Sequence, residues 1–161
     1  MFAVPLMIVL FLIISMVFFF QRKPFSFLQN SILYMVFKIL ATNVTTIVTL
    51  NLDFIKKTED PFLFPAYLLN RDGIIPLLLL IFINRMNGGD TPLKKVFYTF
   101  IIFACLNGLV FLMVELKLIE FLEWNYLETA VVNGAYLLVA FGAGKLLSFI
   151  TRRSTWHDSR V

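Results

Sequence analysis

Long runs of apolar residues constrain this chain more than any other feature. Residues 2–20 carry no charged side chain, and three further mainly apolar runs lie at 27–50, 95–114 and 129–150. A helix needs about 20 such residues to cross the hydrocarbon core of a bilayer. The composition agrees, because 15% of the 161 residues are charged against about 25% in soluble domains. Each run is therefore predicted to be a membrane-spanning helix, and 1–161 a single transmembrane domain.

The segment 62–84 is a fifth candidate span, but polar residues interrupt it. Asn70-Arg71-Asp72-Gly73 separates two apolar stretches. Pro76 lacks the N–H that would bond the carbonyl of Asp72, which favours a kinked or open backbone at this point. We predict an all-α integral membrane bundle of five transmembrane helices with the third interrupted. The alternative is four spans with 62–84 as a re-entrant segment.

Several residues are typical of helix ends. Ser26 is placed to cap the second span, and Thr91 followed by Pro92 is typical of a helix start. Arg152 and Arg153 are expected to close the last span. The first span lacks the basic start and small-residue cleavage site of a signal peptide, so we expect it to be retained.

Loop charges indicate the orientation, because cytoplasmic loops are enriched in Lys and Arg. With five spans and the N-terminus outside, three loop cations lie outside (Lys56, Lys57 and Lys117) and eight lie inside: Arg22, Lys23, Arg85, Lys94, Lys95, Arg152, Arg153 and Arg160. The four-span alternative, with the N-terminus inside, divides the cations nine to three. Both versions place the C-terminus in the cytoplasm, and the full length of 62–84 favours five spans.

Three charged residues lie at membrane depth, and they are the first candidates for a site. Lys38 is near the middle of the second span, where a lysine costs about 2.5–3.5 kcal/mol on insertion scales. Asp72 is expected at similar depth, so we predict a Lys38–Asp72 ion pair with Arg71 competing for the carboxylate. Such a pair serves either to hold two helices in register or to bind a substrate, ion or proton.

Polar residues at helical spacing extend from Lys38 along one face of the second span. They are Tyr34, Thr42, Thr45 and Thr49, with Asn30 and Asn43 at the flanks. Thr and Asn side chains commonly form hydrogen bonds between membrane helices, although such a face can also line a pore. Asn107 and Asn133 are single amides in the last two spans and are expected to serve as inter-helix hydrogen-bonding groups.

Small residues four apart predict close helix contacts in the last two spans. Ala104 and Gly108 form one such pair, and Ala140 and Gly144 form the other.

The sequence contains few residues that could bind a cofactor or catalyse a reaction. Cys105 is the single cysteine and His157 the single histidine, which argues against a disulfide, a Cys-rich zinc site or a clustered catalytic pair. No nucleophile motif or phosphate loop is present. We therefore expect no enzymatic activity, no metal and no cofactor. The net charge of +4 belongs to the loops and does not indicate a nucleic-acid partner.

One stretch of the chain is similar to a known group of proteins. Residues 67–80, read as Tyr67-Leu-Leu-Asn-Arg-Asp-Gly-Ile-Ile-Pro-Leu-Leu-Leu-Leu80, follow a polar second span and precede an acidic connection. In this the chain resembles small uncharacterised multi-pass membrane proteins of spore-forming Gram-positive bacteria. The resemblance implies a bacterial plasma-membrane protein, and it implies no substrate or catalytic residue.

Two functions are consistent with these observations. The first is a non-enzymatic bundle of the bacterial cytoplasmic membrane that packs with itself or with a partner subunit in the lipid bilayer. The second is a small-solute or ion channel or carrier built around the interrupted third helix, with Lys38, Arg71 and Asp72 as its site.

Overall fold

A computed structural model describes the backbone of residues 2–158 and the side chains of residues 2–150. This part of the chain folds into five long helices and one small sheet. The helices are α1 (Ala3–Phe20), α2 (Phe27–Asn51), α3 (Phe64–Asn87), α4 (Pro92–Glu115) and α5 (Tyr126–Asp158), and the strands are β1 (Ile55–Lys57) and β2 (Ile119–Phe121). All five helices are long and apolar enough to cross a bilayer. The predicted helical bundle is therefore present, with one sheet that was not predicted.

The helix ends match the sequence signals in part. Ser26 forms a capping box, since its hydroxyl accepts from the Gln29 N–H and the Gln29 side chain accepts from the Ser26 N–H. Pro92 is the first residue of α4 as predicted, but the Thr91 side chain makes no capping bond.

The end of α5 differs from the prediction. The helix continues to Asp158, so the two arginines at 152 and 153 do not terminate it. Their side chains, and the whole of Arg160, lie outside the described residues.

The interruption of α3 takes the form of a π-helical turn. Residues Asn70–Ile74 adopt π-helix geometry, and the helix then continues in α geometry to Asn87. The predicted position is correct, but the helix is neither broken nor folded back as a re-entrant hairpin. The Asp72 carbonyl, which Pro76 cannot bond, accepts a hydrogen bond from the Tyr34 hydroxyl at 2.8 Å.

Helix α3 is the centre of the bundle. Within its most apolar 18 residues 72% are buried, against 11–28% in the other four helices. Met7 of α1, Phe37 of α2, Leu106 of α4 and Ala140 of α5 all belong to the same buried cluster as α3. The other four helices therefore surround α3 and present most of their surface outward.

Only one of the two small-residue pairs makes a close contact within the chain. Ala140 is fully buried, and a Cβ placed on Gly144 would collide with the Ile83 side chain of α3. At Gly108 of α4 a Cβ would meet nothing within 4 Å, and Ala104 is exposed. Close packing is therefore confirmed for the α5 pair and is absent for the α4 pair.

The sheet joins two connections that are distant in sequence. β1 lies between α2 and α3, β2 lies between α4 and α5, and the strands are antiparallel with Lys56 opposite Glu120. Leu122 and Glu123 add backbone bonds to the Phe54 carbonyl. The second and fourth connections consequently lie at the same end of the bundle.

Candidate solute-binding cavity

Arg71 and Asp72, which are adjacent in α3, pair with each other. Arg71 Nε lies 2.6 Å from Asp72 Oδ1, and Arg71 Nη2 lies 3.0 Å from Asp72 Oδ2. Adjacent residues on a regular α-helix do not face each other, and this pair forms within the π-helical turn. Thr42 of α2 adds a longer hydrogen bond to Asp72 Oδ1 at 3.4 Å.

The predicted ion pair between Lys38 and Asp72 is not formed. Lys38 is exposed on the bundle surface, and among the described residues it has no carboxylate within 4.0 Å. The contacts Asn84–Asn30 and Thr42–Asp72 set the antiparallel register of α2 and α3. In that register Lys38 lies four residues, about 6 Å along the axis, from the level of Asp72.

A cavity lies between α2, α3, α4 and α5, directly beside the sheet; we call it the sheet-side cavity. Its volume is about 100 Å³, which is room for several water molecules. Valines, isoleucines and Met113 form part of the wall. The polar lining comes from α2, α3 and α5: Thr45, Thr49, Tyr67, Asn70, Arg71, Thr129, Asn133 and Tyr136. This composition, mainly apolar with a few convergent polar groups, is typical of small-molecule sites.

Asn70 is the least satisfied of these polar groups. Its side chain is 2% exposed, and its Oδ1 atom has no hydrogen-bond partner. Its Nδ2 atom contacts only the sulfur of Met113 at 2.6 Å, and a thioether is a weak acceptor. A buried polar atom left unpaired costs about 1–3 kcal/mol. The Asn70 carbonyl oxygen thus belongs to a residue of the cavity wall and lacks a hydrogen-bond partner among the described residues.

The neighbouring aromatic and hydroxyl groups complete the site. The Arg71 guanidinium lies 5.8 Å from the ring centre of Tyr67, within the range of a cation–π contact. Tyr136, from the opposite wall, is 5% exposed. At the sheet end the Trp124 indole N–H donates to Thr129 at 2.8 Å. The cavity therefore offers hydroxyl donors, an amide oxygen and an arginine within one small volume.

The remaining residues proposed from the sequence have other surroundings. Asn133 Nδ2 bonds Asn107 Oδ1 at 3.3 Å, and Asn107 Nδ2 bonds the Phe103 carbonyl of its own helix at 2.8 Å. The two amides thus link α4 and α5, and Asn133 also lines the cavity. Asn43 is exposed on α2 and does not line it.

The sequence analysis identified Arg71, Asp72, Asn133 and the threonine face of α2 as candidates. It did not assign Asn70, Tyr67 or Tyr136 to a site. The available signal was the Tyr67-Asn70-Arg71 spacing, since residues three and four apart share one helix face. Tyr136 lies in an otherwise ordinary apolar span and gave no signal of its own.

No known protein family, curated protein or solved structure matches the chain. The function is therefore argued from the site itself.

Proposed function

We propose that the chain is a non-enzymatic, five-span protein of the bacterial cytoplasmic membrane, with its N-terminus outside and its C-terminus in the cytoplasm. Five apolar helices support this, together with the excess of Lys and Arg in the connections assigned to the inside. The pairing of β1 with β2 adds support, because five spans put the second and fourth connections on the same side. The four-span topology would separate them.

Cysteine labelling tests this orientation. In a Cys105→Ser background, Thr58→Cys should react with a membrane-impermeant maleimide on intact cells. Gly89→Cys should react only after permeabilisation. The reverse pattern, or equal labelling of both, would contradict the topology.

The function best supported by the geometry is that of a small-solute or ion carrier or channel centred on the sheet-side cavity. The observation that carries this proposal is the unpaired Asn70 oxygen beside Arg71 in a cavity within the bundle. In a bilayer an unsatisfied polar group is costly, and a purely structural bundle gains nothing from it. Arg71 lies about 10 Å along α3 from Phe64, so the site lies in the outer half of the helix. Lys38 is not part of it.

Proteoliposome flux measurements test the proposal. The full chain is reconstituted, and stopped-flow light scattering follows the entry of glycerol, urea and glycine, while fluorescent indicators follow potassium and chloride. We expect the protein to raise the flux of at least one of these probes. Asn70→Leu should reduce that flux at least about tenfold, which corresponds to about 1.4 kcal/mol in a barrier.

Asn43→Leu is the matched control, because it makes the same chemical change on a span but outside the cavity. It should leave the flux unchanged. Fluxes equal to those of empty vesicles for every probe, or equal losses in the two variants, would refute the proposed function.

A second candidate is association with another copy or with a membrane partner subunit, and the α4 surface favours it. Ala104 and Gly108 form an outward-facing notch that none of the described residues fills, and such notches allow helices to approach closely. Gly108→Leu should then convert an oligomer in detergent into a monomer, as measured by light scattering on a sizing column. Gly142→Leu, at another open helix position, serves as the control. A monomeric unmodified protein would exclude self-association.

A further inference from the structure

A second polar pocket lies at the end of the bundle opposite the sheet; we call it the basic pocket. Its volume is about 650 Å³. The α1–α2 connection contributes Arg22 and Lys23, the end of α3 contributes Arg85, and the start of α4 contributes Lys94. Among the described side chains of the lining, the single carboxylate is that of Asp90, in the connection between α3 and α4. The pocket therefore carries a clear excess of positive charge.

These cations are not neutralised by the described residues. Within the described part of the chain, none of the four lies within 4.0 Å of a carboxylate. Lys23 instead lies 4.5 Å from the ring centre of Phe18, and Arg85 lies 5.0 Å from that of Tyr98. Aromatic contacts hold the side chains without cancelling their charge. Four cations near one carboxylate, with no ion pair among them, favour the binding of an anionic group.

Two buried amide side chains with unpaired atoms line the same pocket. Gln21 is 6% exposed, and neither its Oε1 nor its Nε2 atom has a hydrogen-bond partner. Asn84 is fully buried, and its Oδ1 atom is also unpaired. Leaving such groups unsatisfied is costly. An occupant that both accepts and donates hydrogen bonds would remove this cost.

An apolar groove adjoins the basic pocket. Its volume is about 460 Å³, it runs between α1 and α2, and its walls include Phe18, Phe27, Met35 and Leu80. Lys23 lines both the groove and the pocket. A pocket with an excess of positive charge thus adjoins an apolar groove, and Lys23 lies at their boundary.

We propose that the basic pocket binds the headgroup of an anionic phospholipid whose acyl chain lies in the α1–α2 groove. The lipid phosphate accepts hydrogen bonds from Arg22, Arg85 and the Gln21 amide N–H. A hydroxyl-bearing headgroup such as glycerol donates to the amide oxygens. Basic pockets between membrane helices on the cytoplasmic side bind lipid headgroups in this way. The inference rests on the proposed membrane insertion and not on the solute site, because the two sites lie at opposite ends of the bundle.

Native mass spectrometry of the full chain in neutral detergent tests the proposal. The probes are phosphatidylglycerol and phosphatidylcholine with identical acyl chains. We expect one phosphatidylglycerol to be retained per chain, with an affinity at least about tenfold above that of phosphatidylcholine. Because each cation near a membrane surface contributes about fivefold in affinity, Arg22→Gln with Lys94→Gln should weaken phosphatidylglycerol binding about 25-fold.

Both substituted residues are exposed, so the fold is expected to survive the change. The control is Lys56→Gln with Lys57→Gln, which removes two charges at the sheet end and should leave lipid binding unchanged. Equal binding of the two lipids, or equal loss in the two double variants, would overturn the proposal.

Excess inorganic phosphate separates a lipid site from a free-anion site. Phosphate alone leaves the groove empty, so it should not displace phosphatidylglycerol. Complete displacement would show that the pocket takes a free anion, and would overturn the lipid assignment. Ser31→Phe, which narrows the groove, should weaken phosphatidylglycerol binding, while the further loss of affinity caused by Arg22→Gln with Lys94→Gln should stay the same. If Ser31→Phe leaves phosphatidylglycerol binding unaltered, that result would also count against the lipid assignment.

Discussion

Substituting Gly144 with alanine tests the tightest helix contact in the bundle. The Cβ of the new side chain would overlap the Ile83 side chain and approach Asn87 Nδ2 to 2.9 Å. Ile83 is fully buried in the central helix, so a movement of its side chain would disturb the residues packed around it. The substitution therefore forces either a rotamer change in the core or a displacement of α5.

Two opposing effects determine how much Gly144→Ala changes the free energy of unfolding. Replacing glycine with alanine inside a helix stabilises by about 1 kcal/mol, whereas overpacking a dense core costs about 1–3 kcal/mol. Gly142→Ala isolates the first effect, because a Cβ there meets nothing within 4 Å. We expect Gly142→Ala to stabilise the protein and Gly144→Ala to be less stable than Gly142→Ala by about 1–3 kcal/mol.

Reversible unfolding by SDS in mixed micelles, followed by circular dichroism, measures these differences. Adding Ile83→Ala to Gly144→Ala supplies an internal check, since it removes the atoms that collide. The combined loss should then be smaller than the sum of the two single losses. Equal stabilisation by Gly142→Ala and Gly144→Ala would refute the close α3–α5 contact.

Two further perturbations address the ion pair and the sheet. A double-mutant cycle with Arg71→Met and Asp72→Asn should show strong coupling in the free energy of unfolding, because removing one partner leaves the other charge unpaired. A cycle with Lys38→Met and Asp72→Asn should be nearly additive. Stronger coupling of Asp72 to Lys38 than to Arg71 in SDS unfolding would contradict the observed pairing. In a background lacking the native cysteine, Lys56→Cys with Glu120→Cys should form a disulfide on mild oxidation, because opposed antiparallel residues lie within disulfide range. If the oxidised double variant does not shift in mobility on a non-reducing gel, the β1–β2 register is contradicted.

The number and placement of the helices could be read from the sequence because they depend on local properties. A bilayer demands about 20 apolar residues per crossing, and a chain that lacks them cannot cross. The Ser26 cap and the Pro76 perturbation are equally local, since each concerns a backbone group within four residues of the side chain. These expectations were confirmed in position, including the turn at Asn70–Ile74.

Contacts between helices were decided only by the tertiary structure. Pairing Lys38 with Asp72 required their relative height and rotation, and sequence spacing sets neither. The asparagine contact between residues 30 and 84 sets the height instead, and it brings Thr42 to the carboxylate.

The sheet-side cavity and the basic pocket were likewise decided only by the tertiary structure. Each gathers side chains from three or more elements, and no single element contains enough of them to signal a site. Hydropathy and capping act within one segment, so the sequence by itself determined the five helices and the irregular turn in the third. The register, the central position of α3 and both polar sites depend on how side chains from different helices fill a shared space, and only the packed bundle decides that.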